Sequence, residues 1–190
     1  MQTTAGNIIK IRSPKPKHKV IKEIANRFSP RFFSDEAIRE KDLRSIFEAA
    51  RLAPSARNRQ PWFFYYTEKG RTAFDKLASC IPGKHSWAKQ APFYILACSV
   101  RDEESEYLMY DLGQAVISLV LQAQSLGYCA RQVGNFDRQK AKNLLKLPDN
   151  HFPFVIVVLG KIGDYSKAPE EIVEMDLKPS LRKDEIARKI

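Results

Sequence analysis

The segment from Tyr107 to Leu126 constrains the fold of this chain more than any other. Leu108, Leu112, Ala115, Val116, Leu119, Val120, Ala123 and Leu126 recur at intervals of three and four, which places them on one broad apolar helical stripe. Gly127 follows as the expected stop. A stripe this wide can serve a core and a partner helix together, and a helix wholly buried in a monomer would look the same. The other elements must pack around it.

Ile38 to Leu52 carries apolar residues near a helical period, and Pro54 restricts Ala53 and should end that helix. Trp62 to Thr67, aromatic and β-favouring, reads as a strand. Thr72 to Ser79 reads as a short helix, and the almost wholly apolar run Pro92 to Val100 as a strand buried on both faces. Cys129 to Val133 suits a strand, Asp137 to Leu147 a helix with Asp137 as N-cap, and Phe152 to Leu159 another strand. The charged tail, Ser180 to Ile190, has helical character. This mixed order predicts an α+β or α/β arrangement of one sheet with helices.

Charge divides the chain into an arm and a body. Residues 1–22 hold Lys10, Arg12, Lys15, Lys17, Lys19 and Lys22 with no acid, interrupted by Pro14 and Pro16, which predicts an extended or mobile arm. The remaining residues, 23–190, form a single domain with 26 basic against 22 acidic side chains, so the body lacks the charge of a dedicated nucleic-acid binder. No apolar run reaches the roughly 20 residues of a membrane span, and Met1 to Ile11 lacks a secretory pattern, so the expected location is the cytoplasm. Cys80, Cys98 and Cys129 form no CxxC pair, and His18, His85 and His151 have no ligand spacing; buried reduced thiols are expected, without a zinc site. The chain has no GxGxxG, no phosphate loop ending in GK[ST] and no GxSxG.

Three other stretches carry chemistry. In Arg27-Phe28-Ser29-Pro30-Arg31, two guanidinium groups and a hydroxyl alternate along an extended segment and face one way. Arginine forks suit phosphate, and serine adds a neutral donor, although a solvated basic stretch has the same composition. Ala53 to Trp62 joins a helix to a strand and is crowded with polar groups, among them Ser55, Asn58 and Gln60. Amides that both donate and accept match the N–H and C=O edge of a flavin or ribityl hydroxyls, and also suit a plain turn. Gly134-Asn135-Phe136-Asp137 lets a planar ligand approach the backbone closely, or is a turn and helix cap.

Taken together, these stretches resemble the FMN-dependent nitroreductase family. Arg27, Ser29 and Arg31 are similar to its opening signature. Ile46 through Ser55, continuing to Asn58, Gln60, Pro61 and Trp62, is similar to its most diagnostic run. Asp111-Leu112-Gly113-Gln114-Ala115, Leu126-Gly127, Gly134 to Asp137 and Pro153 to Gly160 follow in the family's order, and the resemblance covers about residues 21–186. It implies an α+β nitroreductase-like fold, a central mixed sheet flanked by helices, in an intertwined homodimer with one FMN in each of two interface sites. Arg27, Ser29 and Arg31 would then hold the phosphate and the pyrimidine side of the ring. Ser55, Asn58 and Gln60 would meet the ring and ribityl chain, and Gly134 and Asn135 would lie near N5. Arg182 and Lys183 match the C-terminal phosphate-binding basic residues.

The implied activity passes a hydride from NADH or NADPH through the flavin to a small organic acceptor such as a nitroaromatic or quinone. Arg31 is the candidate cation for the charge that builds near N1 and O2 of the ring. No general acid or nucleophile is required. The alternative is an FMN-binding dimer for storage or sensing without useful turnover. Only about ten residues separate Val100 from Asp111, where several family members insert helices that cover the site.

Overall fold

The computed structural model describes residues 8, 9, 11, 16–101, 106–178, 186 and 187. Four antiparallel strands form one sheet in the order β1-β2-β4-β3: β1 is Trp62–Glu68, β2 Phe93–Val100, β3 Cys129–Val133 and β4 His151–Gly160. The helices are α1 Lys22–Asn26, α2 Glu40–Arg51, α3 Thr72–Ala78, α4 Leu108–Ser125, α5 Arg138–Leu145 and α6 Glu170–Leu177.

Both faces of the sheet are covered, which is why β2 reads as an unbroken apolar run. Tyr94, Leu96 and Cys98 point to a layer containing Phe74, Leu77 and Ala141 of α3 and α5, together with Phe28, Phe33 and Ile172. Phe93, Ile95 and Ala97 point to the other layer, against Ile46 and Ala50 of α2 and Leu112, Val116 and Leu119 of α4. Burying a side chain such as Ile95 or Leu96 contributes about 1.5–3 kcal/mol. Ile8, within the basic N-terminal stretch, is fully buried in the first layer.

The local punctuation follows simple rules. Gly127 takes φ +84°, and the N–H of Tyr128 bonds back to the carbonyl of Ala123, closing α4 as a glycine-stopped helix. Asp137 caps α5 by accepting from the N–H of Lys140 at 2.8 Å. Several segments escape periodicity arguments: α1, α6, and the 3₁₀ turns Ala56–Asn58, Gly83–Gln90 and Tyr165–Lys167. The helix expected over Ser180 to Ile190 lies outside the described residues except for Ile186 and Ala187, which are not helical. Among the described residues, no helix is long and apolar enough to cross a membrane. All three cysteines are free and buried; burial pushes the Cys98 thiol up to about 12 and Cys129 up to about 11.

Candidate functional site

The Arg27–Arg31 segment crosses the β3 edge of the sheet. Its downstream neighbour Phe33 bridges Ile162, and the N–H of Gly163 donates to the carbonyl of Phe32 at 3.0 Å. A Cβ on Gly163 would overlap the Phe32 ring, so only glycine lets the two backbones approach this closely. On this support Arg27 Nη1 donates to Ser29 Oγ at 2.9 Å, leaving the serine hydroxyl proton to donate elsewhere. Arg131, in β3, donates to the carbonyl of Ser29 and lies 5.1 Å from the centroid of the Trp87 ring.

Arg31 is differently placed from what sequence reasoning expects of a lone cation. Its guanidinium pairs with Asp176, its N–H donates to the same carboxylate at 2.7 Å, and Asp176 is fully buried. The buried acid offsets the Arg31 charge and orients the group. It does not leave Arg31 an isolated positive centre.

The field in this region is nevertheless positive. His85 is held below its ordinary pKa of 6.5, first by burial and then by repulsion from Lys84, Arg131 and Arg31. Burial is the larger cause, but the convergence of Lys84, Arg131 and Arg31 on one place favours an anion there.

The loop before β1 is built by strain. Arg57, Asn58 and Gln60 have φ of +53°, +56° and +50°, a region that non-glycine residues other than Asn rarely enter. Ser55 Oγ accepts from the N–H of Gln60 at 2.9 Å, and Gln60 Nε2 donates to the backbone carbonyl and Oδ1 of Asn58, both at 3.2 Å. Asp111, buried in the first turn of α4, accepts from the N–H of Ala56 through both oxygens at 3.1 and 3.2 Å. Strain of this kind persists where the surroundings over-determine the backbone, and it concentrates at ligand sites. Here it leaves the side chains of Asn58 and Gln60 exposed.

Gly134 and Asn135 sit exposed at the end of β3, and a Cβ on Gly134 would meet nothing within 4 Å. The structure thus sets Arg27 and Ser29 beside Arg131 of β3, with Arg31 two residues on, while Gly134 and Asn135 follow the C-terminal end of that strand. Ser55, Asn58 and Gln60 enter β1, the opposite edge. Three inter-strand spacings separate these edges by about 14 Å. Arg182 and Lys183 lie outside the described residues.

Sequence reasoning missed Arg131, Trp87, His85, Asp111 and Asp176. Arg131 had a visible signal as the single cation within a five-residue strand. Asp111 had one too, as an acid beside Leu112 near the start of an apolar helix.

The model of the nitroreductase family matches residues 24–81 and 80–161, the span that carries the sheet, α4 and the strained loop. The chain belongs to the nitroreductase family. A Bacillus subtilis relative of this nitroreductase-family chain, named FMN reductase [NAD(P)H], is 27% identical over 183 residues, covering 82% of this chain and 72% of the relative. A solved structure described as an oxidoreductase containing FMN superposes with a TM-score of 0.84 at 26% identity, covering 98% and 96% of the two chains. A nitroreductase family protein from Clostridium novyi NT superposes with a TM-score of 0.70 at 29% identity, over 78% of this chain and 87% of its own. The mixed helix and antiparallel-sheet architecture of the present chain is that of the nitroreductase fold.

Proposed function

We propose that this nitroreductase-family chain binds FMN between two subunits and works as an NAD(P)H oxidoreductase on a small organic acceptor such as a nitroaromatic or a quinone. The carrying observation is the convergence of Arg27, Ser29 and Arg131 beside β3, with Lys84 and Arg31 adding positive charge near His85. That donor set fits a phosphate monoester: planar guanidinium forks and a hydroxyl with its proton available, with the Arg31 charge offset by buried Asp176. The FMN in the name of the Bacillus subtilis relative and in the description of the solved oxidoreductase supports the same reading.

Bound FMN supplies two-electron chemistry between NAD(P)H and the acceptor. The protein's own task is to hold and orient. Arg27, Ser29 and Arg131 hold the phosphate, and the Asp176-braced Arg31 presents oriented N–H groups to the pyrimidine side of the ring. Gly134 and Asn135 leave the backbone open to a planar group. The exposed amides of Asn58 and Gln60 point to a homodimer, because their loop lies on the far edge of its own sheet and reaches such a ligand most simply from a partner.

The test is a titration of flavin-free protein with FMN, followed by quenching of flavin fluorescence, and then NADH and NADPH oxidation with menadione or nitrofurazone. Arg131→Gln is expected to weaken FMN binding at least about tenfold, the loss of one charge-assisted contact. A yellow protein without turnover would instead favour the storage or sensing dimer. A chain that stays flavin-free in excess FMN would sink both.

A further inference from the structure

One cavity is claimed by neither the phosphate cluster nor the strained loop. It has a volume of about 300 Å³ and opens where β2 ends and β4 begins, between the first turn of α4 and α5. The pairing of β2 with β4 slips between Ala97 and Cys98, opposite Pro153, which has no N–H to donate. The slip turns Phe154 outward and opens this end of the sheet.

Among the described residues, three cations line the cavity and no acid does. The Arg101 guanidinium lies 4.3 Å and the Lys142 ammonium 4.5 Å from the centroid of one ring, Phe152. Arg138 sits 5.6 Å from the Phe154 ring and donates to the carbonyls of Phe154 and Gly134. Lys142 donates to the carbonyl of Asp149. Among the described residues none of the three pairs with a carboxylate, so their mutual repulsion is eased only by aromatic faces and backbone carbonyls. Two neutral polar groups also line it: Gln139, whose amide donates to Asn143 Oδ1 at 3.0 Å, and Ser99, 1% exposed, whose hydroxyl on the cavity wall has no hydrogen-bond partner. An orphaned buried hydroxyl is costly, and a bound acceptor would relieve it. The remaining wall is apolar, from Met109, Phe152 and Pro153.

We propose that this cavity binds a small aromatic carboxylate, with its oxygens on Arg101, Arg138, Lys142 and the Ser99 hydroxyl and its ring against Met109 and Phe152. The volume is at the low end for ligand sites and suits a one-ring acid. Arg138 also donates to the carbonyl of Gly134, so one cation of the cavity touches the turn assigned to the reactive edge of the flavin. Resting on the function proposed above, the preferred acceptor is therefore a nitroaromatic acid. Its first reduction consumes one NAD(P)H and one proton, converts the nitro group to nitroso, and releases NAD(P)⁺ and water.

The test pairs 4-nitrobenzoate with its uncharged analogue 4-nitrobenzyl alcohol. Isothermal titration of each into FMN-loaded protein is expected to show at least a tenfold preference for the acid. The ratio of kcat/KM for acid over alcohol should fall at least tenfold in Arg101→Gln/Lys142→Gln and about threefold in Ser99→Ala. Benzoate should displace the acid far better than inorganic phosphate does. An equal preference for acid and alcohol in the native protein overturns the proposal, as does equal displacement by phosphate. If calorimetry shows the acid preference while neither compound supports NAD(P)H oxidation, the redox reading fails and the site stands. Normal turnover of the alcohol without any acid preference removes the site alone.

Discussion

Asp176 has no solvent exposure and receives the N–H of Arg31, its guanidinium, and the hydroxyl of Tyr165 at 2.5 Å. Burial, and then the neighbouring carboxylate, push the Tyr165 hydroxyl well above its usual range, so it stays a donor at any working pH. Three donors on one buried acid pin the chain that carries Arg27 and Ser29 to α6. Asp176→Asn keeps the shape but leaves the Arg31 charge without its counter-charge. It should cost about 3 kcal/mol in urea unfolding, the lower range for breaking a buried pair, since Arg31 keeps some exposure. It should also weaken FMN binding, because the arginines lose their fixed spacing. Retained stability with unchanged FMN affinity would show that Arg31 is held by its backbone alone. The Arg27–Ser29–Arg31 spacing was visible in the sequence as a candidate anion site. Its brace was not, because Asp176 is 145 residues away and in a helix with no clear period.

Between elements, the best-defined polar contact joins α2 to the segment after α4. The Tyr128 hydroxyl donates to Asp42 Oδ2 at 2.7 Å, and Arg39 Nε donates to the same oxygen at 2.7 Å. The Tyr128 hydrogen bond, then that of Arg39, holds the Asp42 carboxyl below its usual 3.8. Because the folded-state value is depressed, the stabilisation is full above about pH 4 and is lost as pH falls through the lowered value. Tyr128→Phe should lower the urea midpoint at pH 7 and flatten the acid limb, since the Asp42 carboxyl then titrates nearer its unfolded value. An acid limb identical to that of the native protein would locate the acid sensitivity elsewhere. Elements themselves were largely readable: α4, β2 and β4 each have one strong period or run, and their observed limits fall within a residue or so of those expected. What periodicity cannot show is α6, where Ile172, Val173, Met175 and Leu177 fall on no single face, or the 3₁₀ turn that brings His85 and Trp87 to Arg131.

At the scale of the whole molecule, α4 presents more apolar surface than one subunit consumes. Leu112, Ala115, Val116, Leu119, Val120 and Ala123 are buried in their own subunit, which uses one side of the helix. Tyr110, Gly113, Gln114, Ile117 and Leu121 run down another side at spacings of three and four, with Tyr110 67% and Ile117 41% exposed. Leu52, at the end of α2 beside it, is 67% exposed. Monomers rarely leave such a stripe open, and Gly113, with no atom near a would-be Cβ, admits a second backbone at close range. The sequence left open whether the broad stripe served a partner or a monomer's core. The separation of the Asn58–Gln60 loop from the β3 edge favours the partner. If the chain dimerises through this stripe, Ile117→Arg should give a monomer in sedimentation velocity while leaving the helical circular dichroism intact, because Ile117 is 41% exposed. The same variant should lose FMN at least about tenfold more readily, as half of each site would come from the lost partner. A monomeric Ile117→Arg protein that keeps native FMN affinity would break the link between assembly and the site, and would place Asn58 and Gln60 outside it.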